Sequence, residues 1–293
     1  MKIGVHIPQW GAQANRRDII DVAQAAEDLG FDSVWVADHI VFPAKSVTQY
    51  PYAESLEFTA EDGILEPLTE LAVIAGATSR IEVGTSVLIL PLRHPLYVAK
   101  IIATIETLAP GRTQLAVGAG WWKEEFEMLD QQFDGRGRRM NEQIEIMNLA
   151  WTTNPFEYHG EFYDFGPTNC LPMPAQKPRI LIGGLGTAAL RRVRSHGDGW
   201  HVVGSDAAAL ADQRRRLDKI APGLVLSTSG GMSRDPERAR ARLQGVADAG
   251  VTQIALNSAQ PTAELIACME MYSAEVLAAL PRRMTAGALS VEG

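Results

Sequence analysis

Eight short β-rich runs, each followed by a stretch with helical periodicity, constrain this chain more than any other feature. The runs are residues 2 to 8 (KIGVHIP), 33 to 37 (SVWVA), 81 to 86 (IEVGTS), 113 to 117 (TQLAV), 179 to 183 (RILIG), 199 to 203 (GWHVV), 224 to 228 (LVLST) and 252 to 257 (TQIALN). Between them, Ile19, Val22, Ala23, Ala26 and Leu29 share one helical face, as do Val98, Ile101, Ile102, Ile105 and Leu108. Leu243, Val246 and Ala247 repeat the pattern, and Leu265, Met269, Tyr272 and Val276 extend it. Short apolar strands joined by helices imply parallel pairing, because a parallel crossover needs about a dozen residues or more. "DLGFDSVWV" and "DAGVTQIAL" both place a glycine where a helix ends in a left-handed cap and a strand restarts. Eight such units predict an α/β fold, a (β/α)8 TIM barrel, which takes about 250 residues plus insertions. We assign residues 1 to 280 to that single domain, with insertions at about 40–65 and 153–177. The second insertion contains a hairpin around Gly160, and residues 281 to 293 read as a frayed tail.

Composition narrows the function. The 293 residues are 46% hydrophobic and 21% charged, enough for a sizeable core and a soluble surface. A net charge of -8 argues against non-specific binding to nucleic acid or to anionic membranes, both of which need a basic field. No run approaches the roughly 18 apolar residues of a membrane span. "MKIGVHIPQW" shows neither a long apolar h-region nor a cleavage site, so the expected location is cytoplasmic. Cys170 and Cys268 have no paired spacing, which indicates neither a disulfide framework nor a zinc site.

In such barrels the C-terminal strand ends form the active face. The second run ends there on Asp38 and His39; the plainer reading makes Asp38 a turn cap and His39 a loop residue. "GTSVLILPLRHP" follows the third run, "AVGAGWWKEEF" the fourth and "IGGLGTAALRR" the fifth. Glycines at these ends, Gly118 and Gly120 among them, either admit a flat or phosphorylated ligand or simply make tight turns. Gly183, Gly184 and Gly186, with Leu185 among them, precede a helix starting near Thr187 and form a candidate phosphate cradle. "GLGTAA" also matches a dinucleotide fingerprint, with Asp206 roughly 20 residues on, but it continues a series of βα units and so reads as a barrel phosphate loop. Lys123, Glu124 and Glu125 read as the charged first turn of a helix, with a nearby acid kept open as proton donor. The six histidines form no H-E-x-x-H pattern, so no metal is expected, and His6 reads as a hydrogen-bonded interior residue. "STSGG" at 227 to 231 falls in a strand-end loop and lacks the nucleophile-elbow pattern.

Taken jointly, "SVWVADH", "VGTSVLILPLRHP", "VGAGWWKEEF", "RGRRMNEQIEIMNLAW", "IGGLG" and "GDGW" resemble the bacterial luciferase-like superfamily of flavin- and deazaflavin-dependent oxidoreductases, over nearly the whole length. The resemblance implies an isoalloxazine-like ring in the strand-end mouth, supported by a non-proline cis peptide at Ser86-Val87, and a homodimer. It leans to coenzyme F420, whose branch places an Asp-His pair like Asp38 and His39 on the ring, with FMN as the alternative. Arg136, Arg138, Arg139, Arg191, Arg192 and Arg194 would suit the polyanionic tail of F420, or else form solvated helix faces. The activity implied is hydride transfer between F420 and a small, apolar organic substrate, with His39 handling the proton. An FMN-dependent monooxygenase, served by a separate enzyme that supplies reduced flavin, is the chemical alternative, and a non-catalytic cofactor-binding homologue is the second. Trp10 and Trp121 would wall the substrate pocket. The sugar-phosphate dehydrogenases of the family carry a glutamate where this chain has Trp121, which argues against such a substrate.

Overall fold

A computed structural model describes residues 1–45, 47–50 and 63–279. Half of the expected first insertion, residues 46 and 51–62, and the stretch 281–293 lie outside the described residues. The strands are β1 (Lys2–His6), β2 (Ser33–Val36), β3 (Glu82–Ile89), β4 (Thr113–Gly118), β5 (Phe156–His159), β6 (Asp164–Thr168), β7 (Arg179–Gly183), β8 (Gly199–Val203), β9 (Val225–Gly231) and β10 (Gln253–Asn257). Eight of them close a parallel barrel in the order β1-β10-β9-β8-β7-β4-β3-β2, as the eight runs predict. Pairing of Lys2 with Gln253 through Val5 with Leu256 makes the closing seam. β5 and β6 form a separate antiparallel hairpin, docked where Glu142 accepts the amides of Glu161, Phe162 and Tyr163 at 2.7 to 3.1 Å. "STSGG" lies within β9, not in a loop, because β9 runs on to Gly231 alongside β10.

Helices α1 (Arg16–Asp28), α2 (Pro67–Ala77), α3 (Pro95–Leu108), α4 (Lys123–Met128), α5 (Arg136–Thr152), α6 (Thr187–His196), α7 (Ala207–Asp218), α8 (Pro236–Asp248) and α9 (Thr262–Met271) surround the barrel, and a π-helical turn, Tyr272–Leu277, follows α9. α1 shows how sequence sets such an element. Asn15 caps it by accepting from the Arg17 and Asp18 amides, and Ile19, Val22, Ala23 and Ala26 bury one stripe. Gly30 then takes φ +81, and Gly250 repeats the device at φ +83, as the two echoed helix-to-strand passages require. The stripes of the helices and the outward faces of the strands share one large apolar core.

The barrel axis is filled, not hollow. At its N-terminal end Glu82 receives Lys2 (2.5 Å), Gln114 (3.1 Å) and Arg179 (3.2 Å), and Gln253 donates to Gln114 (3.1 Å). Above this layer Trp35 lies inside the barrel with Ala116, Leu181 and Ala255, its indole N–H given to Ser33 at 2.9 Å. Gly4 and Gly84 make room for it: a Cβ on Gly4 would stand 2.2 Å from the Ser33 hydroxyl and 2.5 Å from the Trp35 Nε1, and one on Gly84 3.1 Å from the Trp35 ring.

One buried group lacks an explanation in packing alone. Glu70 on α2 is 3% exposed, and neither carboxyl oxygen has a hydrogen-bond partner among the described residues. Burial, reinforced by the neighbouring Glu66, pushes its pKa from 4.5 up to about 8. The unfolded chain therefore releases this proton before the folded protein does, and stability falls as pH rises from about 4.5 to about 8. Glu70→Gln should remove that slope, stabilising the protein by roughly 2–4 kcal/mol at pH 8 and by less than about 1 kcal/mol at pH 5. Urea unfolding at the two pH values measures it.

Candidate active site

The C-terminal strand ends converge on one mouth whose floor is a bulge in β3. Ser86 pairs with Ala116 and Leu88 with Val117, so Val87 stands between them without a partner on β4. The Ser86-Val87 peptide is cis. The Val87 side chain turns inward onto the Trp35 cluster and occupies the space where Gly118 and Gly183 would carry a Cβ, which would lie 2.8 and 2.9 Å from its methyl carbons. Those two glycines therefore make room for a side chain of the protein itself. Gly120, at φ +80, likewise yields space to Ile89 and Phe126.

Beneath the bulge is a polar cluster that the sequence reading did not assemble. His201 of β8 stacks on Trp35, with ring centroids 5.7 Å apart, and has the Ser86 hydroxyl 2.9 Å from Nε2 and the Ser227 hydroxyl 2.9 Å from Nδ1. Burial, with His6 nearby, pushes the His201 pKa down to about 3, so the ring is neutral at physiological pH. His6 is interior, and burial lowers its pKa to about 4, but its Nε2 has no partner among the described residues, unlike the satisfied histidine expected there.

The rim is held by two buried acids. Asp38 is 3% exposed and takes the Arg93 guanidinium as a fork, at 2.6 and 2.9 Å, with the Ile89 amide at 2.7 Å. Burial raises the Asp38 pKa against the pull of Arg93, which is held in turn by Glu66 at 2.9 Å. Asp38 thus fastens the exit of β2 to the bulged end of β3, and Gln9 fastens the exit of β1 by bonding both backbone groups of Ala37. The second acid is Glu125. It stands in the charged first turn of α4, as expected, but its side chain is wholly buried, with Oε2 2.8 Å from His39 Nδ1 and Oε1 accepting the Ile40 amide at 2.7 Å. The sequence signal was its setting among Trp121, Trp122 and Phe126, which makes that helix face apolar. The adjacent Glu124 accepts the Thr48 hydroxyl (2.6 Å) and the Val47 amide (2.8 Å), and these bonds hold its pKa down at about 2.

His39 itself stands in an aromatic wall. Its ring meets Trp121 (6.0 Å, 82°) and Trp122 (5.5 Å, 86°) edge to face, those two stack at 4.8 Å, and Tyr50 meets Trp121 at 5.1 Å. Trp10 joins the rim through a bridge to Ile64. Opposite, Gly184 adopts φ +111 and its carbonyl takes the Trp200 indole N–H at 2.6 Å, Leu185 is 37% exposed, and Gly186 starts α6 with no side-chain cap. A Cβ on Gly186 would meet nothing within 4 Å, so the first-turn N–H groups of α6 open onto solvent. The arginines divide. Arg139 is spent on the Pro91 and Gln132 carbonyls, Arg192 on Asn141 and the Gly137 carbonyl, Arg136 on the Gly120 carbonyl and Arg138 on Glu161. Arg191 and Arg194 remain exposed on α6, Arg194 in its last turn, away from the glycine loop.

The Asp38–Arg93 fork has a measurable consequence. Arg93→Ala strands a buried carboxyl and should destabilise the protein by about 3–5 kcal/mol in urea unfolding, whereas Arg93→Lys, which keeps the charge but not the fork, should lose about half as much.

Comparison with known proteins agrees with this architecture. The family model described as "Luciferase-like monooxygenase" matches residues 1–258. An uncharacterized protein of Mycobacterium tuberculosis is 36% identical over 203 residues, 69% of this chain and 70% of that protein. An F420-dependent glucose-6-phosphate dehydrogenase of Segniliparus rotundus is 30% identical over 208 residues, 68% of this chain and 56% of the dehydrogenase. Among solved structures, the monooxygenase RslO1 from Streptomyces bottropensis superposes with a TM-score of 0.77 at 19% identity, over 95% of this chain and 99% of its own. An F420-dependent secondary alcohol dehydrogenase in complex with an F420-acetone adduct superposes at 0.75 and 16% identity, over 94% and 98%. The bulged mouth, the histidine at its wall and the glycine-led helix opposite are thus carried by a chain that belongs to the luciferase-like monooxygenase family.

Proposed function

We propose that this protein is an F420-dependent oxidoreductase that moves a hydride to or from a small, apolar organic substrate. The observation that carries the reading is His39, pinned by Glu125 inside an aromatic wall at the mouth. As a carboxylate, Glu125 takes the Nδ1–H of His39 on Oε2 and the Ile40 amide on Oε1. Nε2 is then the nitrogen that takes the proton when the substrate is oxidised, or returns it in the reverse direction. The resemblance of the Asp38-His39 segment and the F420-dependent dehydrogenase among the relatives support the deazaflavin over FMN.

The residues present suit such a group. The uncapped start of α6, with Arg191 exposed one turn on, suits a phosphate and an acidic tail, and Ser86 and Val87 floor the space for a flat ring. A bound deazaflavin would supply a two-electron hydride carrier. The chain supplies orientation and dryness: Asp38 and Arg93 fix the backbone that carries His39, while Trp121 and Trp122 keep water from its ring. The wall offers apolar surface where a sugar phosphate would need polar partners, which supports an apolar substrate. An FMN-dependent monooxygenase is the second reading, favoured by the resemblance in fold to RslO1.

Titration with F420 and with FMN, followed by visible absorbance, tests the assignment. Saturable F420 binding with no FMN binding is expected; FMN binding with oxygen uptake on reduction establishes the second reading instead. With F420 bound, His39→Ala should slow turnover of small apolar alcohols or ketones by about 10²- to 10⁴-fold while changing the F420 Kd only a few-fold. An unchanged rate removes His39 from the chemistry.

A further inference from the structure

The Ser86 hydroxyl is half-buried at the floor of the mouth, and its partner among the described residues is His201 Nε2. The other ring nitrogen faces Ser227, which is fully buried and bonds to no second group among the described residues. A neutral imidazole carries one N–H and one lone pair, so the two serine contacts are of opposite sense. In one arrangement Ser227 donates to Nδ1 and the Nε2–H donates to Ser86. The His201 N–H and the Ser227 hydroxyl hydrogen are then both used, and the Ser86 hydrogen is left to point out of the interior. In the other arrangement the Nδ1–H donates to Ser227, whose own hydrogen is stranded in the interior with no acceptor. A buried donor without a partner is the strongly disfavoured case, so the first arrangement prevails. Trp35 stacks on the ring and is itself tied to Ser33, so the imidazole cannot turn to exchange its two nitrogens without losing both serines.

We propose that Ser227 holds His201 as its Nε2–H tautomer, and that His201 is thereby a positioning residue which makes Ser86 a hydrogen-bond donor toward an acceptor atom, a carbonyl oxygen or an unprotonated ring nitrogen, of the molecule bound in the mouth. That this molecule is a flavin-like cofactor rests on the function proposed above; the tautomer does not. The sense of the bond follows from the burial of Ser227 alone. The chain thus selects for an acceptor at one place on its ligand by means of a residue that the ligand never touches.

Two measurements separate the parts. The ¹⁵N spectrum of histidine-labelled wild-type protein at pH 7 reports the tautomer with no ligand and no substitution: an Nε2–H ring for His201 is expected, and an Nδ1–H ring overturns the proposal. Titration with F420 and FMN then compares wild type, Ser86→Ala and Ser227→Ala. For whichever cofactor wild type binds, Ser86→Ala should weaken binding about tenfold and displace the visible absorbance maximum. Ser227→Ala should displace that maximum too, although it lies beneath the ring's reach, because it releases the tautomer. Unchanged affinity and spectrum in Ser86→Ala overturn the proposal. If wild type binds neither cofactor, the redox reading fails, and the nitrogen spectrum alone decides whether Ser227 and His201 set the hydroxyl.

Discussion

The seating of Trp35 on the barrel axis is the constraint on which the rest depends. An indole fits there because Gly4 and Gly84 carry no side chains, and any Cβ at those positions would collide with it or with Ser33. Its indole N–H is tied to Ser33, and its face supports His201. Through His201 it supports Ser86, and through direct packing it supports Val87. The floor of the mouth is therefore a stack of rigid groups, which is what a site needs if it is to present a flat ligand with fixed donors and acceptors.

Above that floor the rim is organised by carboxyls, of which Asp38 and Glu125 are buried, and together they gather backbone from distant parts of the chain. Asp38 and Glu66 share Arg93, joining the exits of β2 and β3 to the start of α2, whose first turn Glu66 also caps. Glu125 and Glu124, adjacent on α4, take residues 39–41 and 47–48 of the segment after β2. Burying an acid is unfavourable unless its lone pairs are met, and here they are met by amides and guanidinium N–H groups that fix loop position. The same construction places His39 against Trp121 and Trp122. Its contact with Glu125 and its apolar surroundings thus have one structural cause.

The glycines at the strand ends stand where the sequence puts them, and the space they leave goes to different ends. Gly118 and Gly183 do stand at the mouth, and the space that they leave is filled by Val87. Gly186, with nothing near its missing Cβ, leaves open space at the start of α6. The arginine-rich helices divide in the same way: Arg139 and Arg192 turn inward to carbonyls and Asn141, while Arg191 and Arg194 stay in solvent.

The alternation of apolar strands with one-faced helices determined the barrel, because parallel strands need crossovers and eight crossovers close a cylinder. The same reading placed Asp38, His39, Ser86 and the glycine loop at strand ends, since side-chain period and strand length are local properties. What tertiary structure decided was which of these groups meet. Glu125 becomes the partner of His39 only because α4 folds beneath the segment after β2, across 86 positions of chain. His201 comes beneath Ser86, and Ser227 beneath His201, only because the strands that carry them curve round one axis. No local pattern records which side chains face each other across the barrel, because that depends on the closure and stagger of the whole sheet.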